Sequence, residues 1–490
     1  MSDAAAPGLA PSPANPAQPA SESVAPKAPM AARTRMLLEA PILPTLLRLS
    51  FPNVLNLLAL AGMITFDGLF LGRLGADALV GVSLVFPFVM FVQHVAASGL
   101  GGAVASAISR ALGAGDKRKA DALAAHAFVL AVGVTILFSA LMLTAGPLIY
   151  KSMGGRGAAL DAALAYSTVV FGGAISVWLL NILGNVVRGT GNMSLPAQVL
   201  VGSVLGHAAL SPLLIFGWGP VPALGPAGAG WGLVLSFAVG SLVLWRHLRS
   251  GRALVNLRLG WRGADGTRYE WSLFGEILRV GIPGVANVAI NNLTVVILTA
   301  VAGHLGQASA VGYAMGARLE YIMIPLAFGF GTALLAMIGT NWGARQFQRA
   351  RRIAWTGALT VAVFCGTVGM LFAVAPALWM GLFTADEDIA RVGTLYLQIV
   401  APFYAVYGAG MALYYFMQGV GNIGPAVLAN AARLAASAGG AYAAVTWFDA
   451  GPVGVFAAIA ASFLLYGALV LWAFLRTPDP ATPRQTATSR

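Results

Sequence analysis

The chain has 490 residues, 58% of them hydrophobic and 9% charged, with a mean hydropathy of +0.79. Soluble domains carry roughly 25% charged residues, so a water-soluble fold is excluded and lipid must be the main solvent. The formal charge of +12 does not point to nucleic acid, because the basic residues fall in short segments between apolar runs; Cys365 is the single cysteine, which excludes a disulfide framework.

Residues 1–30 are mostly Ala, Pro and Ser without apolar periodicity, and read as a disordered tail. They lack the apolar stretch of a signal peptide. Twelve runs long enough to cross a bilayer follow, at 47–72, 77–112, 118–146, 159–187, 194–217, 226–248, 273–303, 308–342, 350–378, 389–418, 424–447 and 452–476. The expected fold class is therefore an all-α polytopic membrane protein. Its expected divisions are a tail over 1–40, a six-helix lobe over 41–248, a linker over 249–272, a second six-helix lobe over 273–476 and a tail over 477–490.

Two regularities organise these spans. Most of the 29 basic residues lie before span 1, after spans 2, 4 and 8, between spans 6 and 7, or after span 12. The positive-inside rule then puts both termini in the cytoplasm. The second regularity is a repeat. Leu278-Arg-Val-Gly-Ile-Pro283 echoes Leu47-Arg-Leu-Ser-Phe-Pro52, and Gly419-Val-Gly421-Asn422 echoes Gly189-Thr-Gly191-Asn192. Between them, Gly99, Gly101, Ile108 and Gly113 match Gly329, Gly331, Ile338 and Gly343. Each half holds an even number of spans, so the two six-helix lobes are parallel copies related by an axis along the membrane normal.

Polar residues inside apolar spans are costly and mark candidate sites. Asp67 lies in the outer part of span 1, and Asn53 and Asn56 share its helical face within about 60°. A buried carboxylate there can load and release a proton or, when ionised, bind Na⁺. The bland alternative is an Asp satisfied by hydrogen bonds or standing at the outer interface. Glu320 in span 8 is a second intramembrane acid, for which a structural ion pair is the competing reading. Arg318, two residues away, points to another face.

Other stripes are more ambiguous. Asn287, Asn291 and Thr294 on span 7, and Asn181, Asn185 and Arg188 on span 4, repeat one helical spacing. They suit cavity lining or interhelical hydrogen bonding about equally. On span 10, Tyr404, Tyr407, Tyr414 and Gln418 form an aromatic face. Such a face suits amphipathic organic cations, although packing against neighbouring helices explains it as well. His207, with Ser211 one turn on and Pro212 next, is a core histidine by default and a proton-relay partner of Asp67 otherwise. No phosphate-binding glycine loop, metal-ligand spacing or nucleophile elbow occurs, so neither a cofactor nor an enzyme is expected.

The run Asp67-Gly-Leu-Phe-Leu-Gly-Arg-Leu-Gly-Ala-Asp-Ala-Leu-Val-Gly-Val-Ser-Leu-Val-Phe-Pro87 resembles the multidrug and toxic compound extrusion (MATE) family, and its proton-coupled branch in particular. Ile108-Ser-Arg-Ala-Leu-Gly-Ala-Gly115, Arg188-Gly-Thr-Gly191 and Gly339-Thr-Asn-Trp-Gly-Ala344 extend the resemblance over about residues 40–476. The resemblance implies a V-shaped pair of lobes exporting drugs against H⁺ or Na⁺. It also implies that Asp67 couples the cation and that Pro52 lets span 1 bend. The family's proton-coupled branch often has Asn-x-x-x-Asp-Pro on span 5, where this chain has His207-x-x-x-Ser211-Pro212. An acid on span 7 that accompanies a sodium site is replaced here by Asn291 or Asn292.

The expected function is a cation-coupled efflux antiporter of the inner membrane. It would act as a monomer among membrane lipids on drug-like, amphipathic or cationic compounds. The alternative is a flippase for lipid-linked oligosaccharides or lipids, which would want a strongly cationic cavity. A membrane-embedded enzyme or a sensor is less compatible with the residues and the repeat.

Overall fold

The computed structural model describes residues 31–259 and 269–478. The expected tail over 1–30, the linker stretch 260–268 and the end 479–490 lie outside the described residues. Side chains at 57, 58, 60, 61, 64, 321, 322, 324 and 325 also lie outside them.

Among the described residues, twelve helical spans build the bundle. In order they are Ile42–Arg73, Ala76–Gly113, Lys117–Ser152, the pair Gly157–Gly172 with Ile175–Gly189, Ser194–Phe216, Pro226–Arg249, Trp271–His304, Gln307–Gly343, Phe347–Val374, Glu387–Val420, Gly424–Thr446 and Gly451–Arg476. They are numbered 1 to 12 below. A short helix, Ala32–Glu39, precedes span 1, and another, Ala377–Met380, follows span 9. Among the described residues, eight helices are long and apolar enough to cross a membrane by length and composition, or nine with the bent pair. Spans 1, 8 and 11, of 32, 37 and 23 residues, complete the bundle.

Irregularities fall where the local sequence dictates them. Span 4 bends by 45° after Gly172-Gly173, because glycine gives up helical order at low cost. The Phe171 carbonyl near the break accepts 2.6 Å from Ser139 Oγ on span 3, as buried backbone in lipid requires. Span 2 carries a π-turn over Val95–Gly99, and span 10 tightens to a 3₁₀ turn over Ala401–Phe403, at Pro402.

The repeat read from the sequence is visible in the packing. Span 5 packs on span 6 as span 11 packs on span 12, and span 1 on span 5 as span 7 on span 11. The lobes meet through spans 2 and 8, with span 7 against span 2 and span 1 against span 8 as equivalent flanking contacts. At the centre the approach is reciprocal. A Cβ on Gly113 would stand 2.0 Å from the Thr340 carbonyl oxygen, and one on Gly343 would stand 2.0 Å from that of Arg110. Small residues are what let two transmembrane helices come this close.

These contacts gather in the half of the molecule nearer the described chain ends, called the basic half below. Asn341 Nδ2 donates 3.0 Å to the Leu37 carbonyl there. Arg110 of span 2 and Lys119 of span 3 both reach Glu276 of span 7, at 3.3 and 2.8 Å. Toward the opposite face a Cβ on Gly68, Gly72 or Gly303 would meet nothing within 4 Å, and Phe66, Leu69 and Val296 are exposed. The two lobes thus form a V joined at the basic half.

Candidate functional site

The first lobe holds a carboxylate–imidazole pair. Asp67 and His207 are 140 residues apart, yet span 1 packs against span 5 and brings His207 Nε2 to 2.7 Å from Asp67 Oδ1. The imidazole is 1% exposed, while the carboxylate keeps 22% of its surface, so one partner is sealed in the lobe and the other stays partly open. With the carboxylate ionised and the imidazole neutral, Nε2–H donates to Asp67 and the bare nitrogen is Nδ1. That atom is buried without a hydrogen-bond partner, as is Ser211 Oγ one turn on. Gly232 of span 6 leaves the room beside them: a Cβ there would lie 3.3 Å from Nδ1 and 3.1 Å from Ser211 Cα.

Asn53 and Asn56, on the same face of span 1, lie deeper toward the basic half. Asn53 Nδ2 donates 2.8 Å to Thr332 Oγ1 and 3.3 Å to the Gly329 carbonyl of span 8, across the lobe boundary. Asn56 Oδ1 is buried without a partner. Pro52 stands one residue before Asn53, inside a helix that continues through it.

The second lobe contains a different polar cluster. Asn430 Nδ2 on span 11 donates to Asn287 Oδ1 at 2.7 Å and Asn291 Oδ1 at 3.0 Å on span 7. Arg433, one turn on, donates through Nε to Asn430 Oδ1 at 2.8 Å and through Nη2 to Asn291 Oδ1 at 3.0 Å. Its guanidinium also lies 5.5 Å from the centre of the Tyr407 ring. Glu320 accepts from Tyr396 Oη and stands within Coulombic reach of Arg433. Tyr404, Tyr407 and Tyr414 are all buried, with Tyr407 stacked on Phe463 at 4.5 Å between ring centres. The aromatic face of span 10 is thus turned into the lobe, and the cation lying against it is the protein's own Arg433.

On span 4, Asn181 Nδ2 donates 3.1 Å to Gln93 Oε1, and Asn185 Nδ2 donates 3.0 Å to the Ala97 carbonyl, both on span 2. That stripe ties spans 2 and 4 together beside the π-turn. Asn430, Gln93 and Glu276 drew no notice in the sequence. Arg433 was already a candidate cavity cation in the sequence, and Asn430 shares its face at i, i+3, a spacing that could have revealed Asn430. Among the described residues no group of three or more His, Cys, Asp or Glu could hold a metal ion.

A two-lobed, twelve-span bundle with a polar pair buried in one lobe and an inter-lobe seam closed on one side defines a membrane transporter. The MatE family model matches residues 52–213 and 283–442, one copy in each lobe and more than half of the chain together. The chain belongs to the MatE family, whose members are transporters rather than enzymes. It is 26% identical over 377 residues to a FAD transporter of Shewanella oneidensis, covering 76% of this chain and 81% of the relative. A probable multidrug resistance protein NorM of Thermotoga maritima is 25% identical, covering 88% and 91%. The crystal structure of a MATE protein in complex with MaD3S superposes with a TM-score of 0.81 at 25% identity, covering 91% of this chain and 98% of that one. Multidrug efflux transporters thus stand among its relatives, and the chain is a multi-pass membrane transporter.

Proposed function

We propose that this protein is a proton-coupled antiporter of the inner membrane that exports amphipathic organic compounds as a monomer. The carrying observation is the 2.7 Å contact between Asp67 and His207. With Asp67 ionised and His207 neutral the pair bears one negative charge. One proton from outside neutralises it, settling on the carboxylate or on the imidazole. Loss of that charge removes the reason for span 1 to keep its present course, and Pro52, which frees a backbone carbonyl, supplies the place where it bends. Each charge crossing 100 mV is worth about 2.3 kcal/mol, so one or two protons drive useful accumulation.

Proton rather than sodium coupling is supported by the atoms present. A hard alkali cation wants several oxygen ligands, and here a nitrogen base occupies one carboxylate oxygen. In the second lobe the place beside Asn291 is taken by Arg433. A guanidinium repels a bound cation there. The positive-inside bias supports placing the basic half and both termini in the cytoplasm, which makes the described conformation open to the outside. The expected two-lobe division at 41–248 and 273–476 fits the two family matches. The expectation of a cationic cargo loses its main support, since the tyrosine face of span 10 is packed inside the lobe against Arg433.

The test is ion-driven export in proteoliposomes, with H⁺ and Na⁺ gradients imposed separately. Wild type should respond to the H⁺ gradient alone, and Asp67→Asn should not respond to it. Equal export by wild type and Asp67→Asn would refute the reading.

A further inference from the structure

We propose that Arg188 forms a second site, on the seam between the lobes, which binds an oxyanion (carboxylate or phosphate) carried by the organic cargo. Arg188 is near the end of span 4 and is 6% exposed. Its guanidinium makes no hydrogen bond or ion pair with any described residue, and its Nε is fully enclosed without a partner. Arginine stays protonated at any pH a cell meets, so this charge cannot be relieved by losing its proton. A buried charge is otherwise found paired or hydrogen-bonded, because leaving it bare is costly. No described residue neutralises it, which leaves the charge available to an anion from outside the protein.

The surroundings specify what. Arg188 lines a cavity of about 10 Å³, room for one water-sized occupant, between Asn185 and Ser98 of the first lobe and Thr332 and Gln418 of the second. None of the residues lining this cavity is acidic. Tyr415 and Phe328 supply an aromatic wall. A guanidinium without a protein partner beside an aromatic surface suits a planar organic molecule bearing a carboxylate or phosphate. Gln418 occupies the position equivalent to Arg188 in the repeat, 230 residues on. The two residues thus come from one ancestral position, but only one is charged, and the site has a polarity.

The same geometry explains when the site works. Its walls belong to different lobes, so separating the lobes in the basic half would widen it. In the described conformation that half is closed, and the cavity is the size of a water. Cargo would enter with its anion on Arg188 and be expelled as the seam closes. This deepens the antiporter reading and rests on it for direction of transport, although binding itself does not.

The experiment uses full-length protein in detergent and two dyes on one ring system, fluorescein with its carboxylate and rhodamine 6G as a cationic ester. Fluorescence polarisation should show fluorescein binding to wild type, weakened about tenfold or more by Arg188→Gln and largely restored by Arg188→Lys. Rhodamine 6G affinity should stay the same in all three. Equal fluorescein affinity in Arg188→Gln, no fluorescein binding to wild type, or parallel loss of both dyes in the variant overturns the site. Phosphatidylglycerol in mixed micelles and inorganic phosphate serve as competitors. If either displaces fluorescein and reconstituted protein transports no fluorescein while still exporting rhodamine 6G, the group is a headgroup or free-phosphate site and the cargo assignment fails. If fluorescein binding depends on Arg188 but no proton gradient drives either dye, the coupling reading fails and the anion site stands.

Discussion

Asp67 and His207 divide one task between a group that stays partly open and a group that does not. Replacing His207 with Gln keeps a donor toward Asp67 and removes the second titratable nitrogen. Export by His207→Gln should therefore persist but with its pH profile displaced from that of wild type, read as dye efflux across a series of external pH values. A profile that superposes on wild type would remove the imidazole from proton handling. Asp67→Asn can still accept from His207 Nε2–H through its amide oxygen but carries no titratable carboxylate. A loss of at least tenfold in proton-driven export is expected, measured with protein level controlled on blots. Asp67 was legible in the sequence because a lone acid in an apolar helix needs a reason. Its partner was only a candidate there, since nothing in local spacing links residues 140 positions apart. Arg188 was visible as the last member of a polar stripe and the first residue of the Arg188-Gly-Thr-Gly191 motif. Its lack of a partner is a property of the packed seam.

Among the helices, spans 2 and 8 approach each other tightly at Gly113 and Gly343. Both glycines at that crossing face a backbone carbonyl, which cannot move aside as a side chain can. Gly113→Leu should force the basic half apart at a cost of about 1–3 kcal/mol. The expected readout is greater labelling of a cysteine introduced at Ser106, in a background where Cys365 is replaced, than in the same background with Gly113 intact. Unchanged labelling would mean that the seam tolerates a side chain there. Span positions and the repeat were readable, since apolar length and recurrent glycines are written in the chain itself. The break in span 4 was not anticipated, although Gly172-Gly173 carries it. Apolar composition runs straight through the bend, and only the neighbouring Ser139 reveals that the helix opens there.

At the scale of the whole molecule, the V is closed by a small electrostatic clasp over a tight glycine contact. Glu276 joins Arg110 and Lys119 at 3.3 and 2.8 Å, with side chains 25%, 16% and 40% exposed. Solvent screens such pairs, and about 0.5–1 kcal/mol each is a fair magnitude. Glu276→Gln should therefore shift the balance toward the form open on the basic side by roughly fivefold, seen as a change in spin-label distance between spans 2 and 8. An unchanged distance distribution would assign closure to the glycine crossing alone.

Apolar run length and the recurring sequence blocks determined by themselves that the chain inhabits a membrane, how many times it crosses and that it is two copies of one lobe. These follow from transfer energies that each segment meets independently of its neighbours. Which polar side chains are paired, which are turned inward and which are left without a partner was decided by tertiary structure alone. Helix faces only acquire neighbours once the bundle is packed. Hence Tyr407 of span 10 meets Arg433 rather than open space, Asp67 meets His207, and Arg188 meets no partner among the described residues.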